Sequence, residues 1–236
     1  MNLTLMTTLW RQRLTSPVRL AVLAMLAGVP LLAVAFMPGA GLAMLGGGQG
    51  LILTLGAGMI GQDVSSGVLQ LLCARPVRRS EYVVSRWLGV AIAAAAISLF
   101  QLIIGSALMA ARGAAPPLQD ILLFGAGRAL ESLGIAAVLA LFSSLIGGFG
   151  DLAIYLIVNL GAGVIQMAGQ VKRWLWVERM GAEIIGALSP TIDVQRIITA
   201  SPMPWFPIVS YASTIVLCLA LAIVVVNRKE LSYASS

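Results

Sequence analysis

Two places in this chain have residue types and spacing suited to chemistry. The first is Arg128 with Glu131, opposite charges inside an apolar run. Three residues apart, they share a helix face and can pair. A charge at the bilayer centre costs roughly 2.5–3.5 kcal/mol on insertion scales, so such residues face protein or water. They can line a polar path or form a structural ion pair. If the helix starts late, Arg128 can instead reach outward past its apolar stem. Ser132 to Gly150 is long enough to span alone, and the structural readings are preferred. The second place is Gln62 to Arg79, a long polar and cationic interruption that includes Asp63, Ser65, Ser66, Arg75, Arg78 and Arg79. Lipid cannot take it up, so it faces water, where a partner can grip it.

Missing residue types narrow the chemistry. The chain has no histidine. That removes Ser-His and Cys-His nucleophilic pairs, His-ligated haem and most zinc sites, and no catalytic residue or metal site is assigned. Lys172 and Lys229 are the only lysines, and neither ends a nucleotide-binding loop. The run Gly46-Gly47-Gly48-Gln49-Gly50 lacks a following Gly-Lys-Ser/Thr and reads as close helix packing. The chain is therefore expected to carry no nucleotide-driven motor of its own. Cys73 and Cys218 build no disulfide framework.

The elements that position these residues are membrane spans. The 236 residues are 59% hydrophobic and 10% charged, against about 25% charged in soluble domains. A soluble fold of this length cannot hide so much apolar surface. The sequence predicts a single all-α integral membrane domain over residues 1–236. Six spans are expected: Leu20 to Phe36, Leu42 to Ile60, Trp87 to Ala111, a fourth between Ile121 and Gly147, Leu152 to Gly169, and Ile208 to Val226. Six spans put both termini on one side. Nine basic residues fall on that side: Arg11, Arg13, Arg19, Arg75, Arg78, Arg79, Arg86, Arg228 and Lys229. Five fall opposite: Arg112, Lys172, Arg173, Arg179 and Arg196. The bias places both termini in the cytoplasm of a multi-pass protein of the cell membrane. The net charge of +6 is read as topology, not as nucleic-acid binding. Gln170 to Pro207 interleaves apolar and charged residues, as in amphipathic helices lying in the outer interface; a re-entrant hairpin is the alternative. Ser189-Pro190 reads as a helix start. Trp174, Trp176 and Trp205 suit the headgroup level.

Within the polar stretch, Val68 to Ala74 can make about two helical turns. Ser65 or Ser66 can cap it, and Pro76 ends it. Val68, Leu71 and Leu72 fall at i, i+3, i+4 on one face. Such a helix either docks in a partner's groove or caps its own bundle.

The stretch from Asp63 to Arg86 resembles the signature of the type-two ABC exporter permeases. That family shows an acid four residues before a Gly, then Thr-Leu, a paired Leu, a Pro, an Arg three residues later, and Gly-Lys before the next span. Asp63, Gly67, Leu69, Leu71, Leu72, Pro76, Arg79 and Arg86 take those places. Ser65 replaces a usual second acid, Val68 replaces Thr, and Ser85-Arg86 replaces Gly-Lys. The resemblance implies that the loop is a cytoplasmic coupling helix docking on a separate ABC ATPase, through these eight residues together with Val68. It implies a transport subunit that is not itself an enzyme. ATP and Mg would bind the partner and no cofactor this chain. Two permease copies, or a close heterodimer, would sit among membrane lipids, with no nucleic acid involved. The segment Trp10-Arg11-Gln12-Arg13 would be an interfacial helix near the ATPase, or simply a positive-inside anchor. Rival readings are an ion-coupled secondary transporter and a non-transporting scaffold that recruits a cytoplasmic partner.

Overall fold

Long apolar helices make up most of the chain, as its composition requires. The computed structural model describes residues 3–37, 41–46, 48–67, 78–201 and 203–228. No strand occurs among the described residues. The helices are α1 (Leu3–Leu14), α2 (Pro17–Phe36), α3 (Gln49–Gly56), α4 (Gly61–Ser65) and α5 (Arg79–Ala111). They continue with α6 (Leu118–Leu145), α7 (Gly150–Lys172), α8 (Leu175–Leu188), α9 (Val194–Thr199) and α10 (Trp205–Arg228). A 3₁₀ turn, Leu42–Leu45, precedes α3. Six helical segments are long and apolar enough to cross a membrane: α2, Leu42–Ser65, α5, α6, α7 and α10.

Their boundaries reflect local chemistry. Pro17 opens α2, where its missing N–H is no loss. The third crossing segment begins at Arg79 rather than Trp87, so the polar residues up to Arg86 are helix, not loop. At 33 residues α5 is about 50 Å long, against a hydrocarbon core of about 30 Å. Its polar first turns can therefore stand outside the lipid. The fourth begins early, at Leu118. Arg128 is thus well inside α6, and the late-starting helix does not occur.

The Leu42–Ser65 segment is the most enclosed of the six: 59% of its apolar 18-residue stretch is buried, against 11% of the corresponding stretches of α2 and α10. It packs between α2, α5 and α6. Ile52, Val90, Ala94, Ile135 and Leu139 form the centre of the core. Small residues such as Ala91, Ala136, Ala137 and Ala140 let these backbones approach closely. By contrast α7 carries Ile157, Leu160, Val164, Met167 and Val171 exposed along one face, as a surface meant for lipid or another chain requires.

The segment after α7 forms a hairpin that enters the bundle and leaves by the same end. Helix α8 runs back along α7: a Cβ on Gly169 would stand 2.4 Å from the Glu178 nitrogen, and one on Gly181 2.6 Å from the Gln166 nitrogen. Helix α8 stops at Leu188, with Ser189 at its C-cap and Pro190 just beyond. Ser189-Pro190 thus ends a helix instead of starting one, and a proline there prevents continuation. Ser189 Oγ lies 2.7 Å from Tyr155 Oη, and Gln49 Nε2 donates to both oxygens, at 3.3 and 2.7 Å. Pro190 packs against Gly134, midway along α6. Asp193 then caps α9 by accepting from the Arg196 N–H at 3.0 Å, and α9 returns beside α6. The 170–207 segment is thus a hairpin of helices packed against α6 and α7.

Candidate functional site

Directly before the polar loop, the second crossing segment breaks between Gly56 and Gly61. A break frees backbone groups that apolar surroundings cannot satisfy. Side chains from distant elements supply the partners. Asp151 Oδ2 accepts from Gly58 N at 2.7 Å. Ser143 Oγ accepts from Ile60 N and Gly61 N, at 3.0 and 2.9 Å. Arg13 donates to the Ala57 carbonyl. Gly148 N donates to the Gly61 carbonyl at 2.9 Å. A Cβ on Gly61 would stand 2.6 Å from the Ile146 oxygen and 2.8 Å from the Gly148 oxygen, so only glycine fits. The elbow is therefore clamped to the turn between α6 and α7.

One helical turn further on, Asp63 is buried and accepts from Tyr82 Oη and the Arg86 guanidinium. Tyr82 and Arg86 are four apart on α5, which puts both on the face toward Asp63. The pair joins the two roots of the loop. Arg13, from α1, is also buried in this cluster. Burial first, then the like charges of Arg19 and Arg86, push its guanidinium down to about 10, which leaves it cationic at neutral pH. Arg19 donates to Gln62 Oε1 at 3.1 Å and lies over the Phe149 ring. Trp10 Nε1 donates to the Gly89 carbonyl at 2.8 Å and fixes α1 against α5. The Trp10 to Arg13 segment is accordingly part of a helix packed into the bundle.

The residues expected to dock a partner divide into three groups. Val68, Leu69, Leu71, Leu72 and Pro76 lie outside the described residues, as does Cys73. Gly67 takes φ +72°, a left-handed conformation that glycine adopts without penalty, with open space where a Cβ would be. Asp63, Arg79 and Arg86 turn inward. Arg79 Nη1 donates to the Val226 and Asn227 carbonyls at 2.9 and 3.0 Å, closing the last turn of α10. Sequence reasoning did not single out Tyr82, Ser143 or Asp151. Asp151 carried a signal: an acid opening an apolar run after a Gly-rich turn. Ser143, one of several serines in spans, carried none.

In the first half of α6, Arg128 and Glu131 pair at 2.9 Å. Arg128 also donates to the Gly46 carbonyl and lies 4.6 Å over the Phe124 ring. The pair is not sealed away. With Asp120, Phe124, Thr191 and Asp193 it lines an open cavity of about 440 Å³ between α6 and the segment that leads from α8 into α9. The same two residues thus form an ion pair and line this cavity. Among the described residues no group of three His, Cys, Asp or Glu side chains is placed to hold a metal ion.

Fold and site define the class: an all-helical protein with six helices suited to a membrane, a broken second segment, and a buried charged clamp between Asp63 and Arg86. No family model, curated protein or solved structure matches the chain.

Proposed function

We propose that this chain is the membrane permease subunit of an ATP-driven exporter of the type-two ABC kind. The observation that carries the reading is the Asp63–Arg86 clamp, which ties both roots of the polar loop to one buried point. A loop anchored in this way moves as a unit with the elbow at 57–61 and the start of α5. The elbow is bonded in turn to Ser143, Gly148 and Asp151 at the turn between the fourth and fifth crossing segments. A push on the loop would therefore reach four crossing segments through short hydrogen bonds. In this reading a cytoplasmic ATPase supplies the push. ATP and Mg reside there, and the loop carries Val68, Leu71 and Leu72 to its groove. The clamp lies on the cytoplasmic side, the termini share that side, and the cavity at Arg128 and Glu131 opens outward.

A second permease copy completes the transport path. The exposed apolar faces of α2, α7 and α10 support this, since one copy leaves them without protein neighbours. Replacing Leu71 and Leu72 with Asp should release a co-expressed ATPase while the permease still inserts. Co-purification at the wild-type ratio would overturn the docking assignment. The Glu131 carboxylate at an open cavity is the one feature that favours ion-coupled transport instead. Transport that persists without ATP and follows a proton or sodium gradient would select that reading.

A further inference from the structure

The turn joining α7 to α8 carries a second polar concentration, unrelated to the loop and its clamp. Lys172 ends α7, Arg173 caps it, and Arg179 lies one turn into α8. None of the three cations has a hydrogen-bond or ion-pair partner among the described residues. Arg173 adopts φ 54°, ψ 33°, the sole non-glycine residue at positive φ among those described. Glycine is the usual occupant of such a helix end, and a side chain there carries a penalty. Here the conformation is held by Trp174 N donating to the Gly169 carbonyl at 2.8 Å. It places the Arg173 guanidinium at the rim of an open hollow of about 470 Å³ lined by Arg173, Trp174, Leu175, Trp176 and Arg179. The two indoles stack, with centroids 6.5 Å apart and planes 12° off parallel, and they are 55% and 69% exposed. Glu178, the nearest acid in sequence, does not line the hollow and accepts from Gln170 at 3.4 Å.

We propose that this hollow holds the headgroup of an anionic phospholipid in the leaflet at the tip of the α7–α8 hairpin. Guanidinium groups match phosphate oxygens in pairs. Indoles settle at the boundary between headgroups and acyl chains, and exposed Val171 and Leu175 extend that apolar side. Two guanidiniums with no acid in the hollow repel the ammonium of a zwitterionic headgroup and favour a net negative one. The site lies at the tip of a crossing helix, where headgroups are found. The assignment needs only the membrane setting, not the exporter reading.

The test compares the full chain with Arg173→Gln/Arg179→Gln, both purified in detergent and reconstituted in nanodiscs. One set of discs is phosphatidylcholine; the other adds phosphatidylglycerol. Both substitutions are at the surface, and matched elution profiles and circular dichroism confirm folding. Native mass spectrometry should show phosphatidylglycerol retained on wild type and lost from the double variant. Affinity should fall about thirtyfold, about fivefold for each cation removed. Arg196→Gln, an exposed cation outside the hollow, should retain the lipid. Phosphatidylglycerol should raise the melting temperature of wild type above its value in phosphatidylcholine, and this increment should vanish in the variant. Equal retention by wild type and double variant would overturn the proposal. So would an equal increment from inorganic phosphate alone, or crosslinking that shows a second copy covering Trp174 and Trp176.

Discussion

The Asp63–Arg86 clamp makes a quantitative prediction. Both side chains are about 5% exposed, so neither charge can be rescued by water if its partner is removed. Arg86→Met keeps the aliphatic stem and deletes the guanidinium, leaving Asp63 with the Tyr82 hydroxyl as its remaining side-chain partner. Breaking a buried pair from one side costs about 3–5 kcal/mol, whereas replacing both members with apolar residues is often neutral. Asp63→Leu combined with Arg86→Met should therefore be milder than Arg86→Met alone. The unsatisfied Tyr82 hydroxyl adds back about 1–3 kcal/mol. A domain of this size shifts by about 2–4 °C per kcal/mol, so Arg86→Met should lower the detergent-state melting temperature by about 6–20 °C. The double variant should recover part of that loss, with a non-additive term of at least about 1 kcal/mol. On the permease reading proposed above, ATP-coupled transport by the double variant should stay low, because the loop's roots are no longer joined by a directional bond. Strictly additive melting shifts would refute the clamp. Full transport in a stable double variant would refute its role in coupling.

The charge bias predicts that Cys73 reacts with an impermeant thiol reagent only from the cytoplasmic side; labelling from outside intact cells would reverse the orientation. Gly61→Ala should cost about 1–3 kcal/mol, because its Cβ would meet two carbonyl oxygens that are themselves fixed, and the melting temperature should fall by about 2–12 °C. An unchanged melting temperature would mean that the elbow and the 146–151 turn are not clamped. Arg128→Ala strands Glu131 at the cavity wall, so Arg128→Ala/Glu131→Ala should melt higher than the single variant. Recovered stability without recovered transport would assign the pair to the path as well as to the fold.

The crossing segments were legible because a run of about 20 apolar residues needs no partner to be recognised. Their ends were not. Arg79 to Arg86 reads as loop by polarity, yet it is helix. The residues that make it so act over long range: Arg79 through the α10 carbonyls and Arg86 through Asp63. The hairpin was ambiguous for a related reason. The mixed face of α8 suits a membrane surface as well as a neighbouring helix. The choice rests on Gly169 and Gly181 admitting the backbone of the facing helix. Arg128 and Glu131 were readable as a pair from spacing alone. That they also face a cavity depends on where Thr191 and Asp193 return, which no local pattern encodes.

The elbow explains why polar residues concentrate at one end of an otherwise apolar bundle. A continuous helix satisfies its own backbone, and a broken one must borrow partners. Here the partners come from α1, α6 and the start of α7, so the break couples elements that helical packing alone would leave independent. The arrangement is conditional in a useful way. Moving the loop while keeping every bond requires α1, the 146–151 turn and the start of α5 to move with it. Moving it alone would strand the amides of Gly58, Ile60 and Gly61 and the carboxylate of Asp63. Each abandoned buried polar group costs about 1–3 kcal/mol, and more where it is charged. Concerted motion is therefore the low-energy response to force on the loop. A permease needs that property if its driving partner touches only that loop.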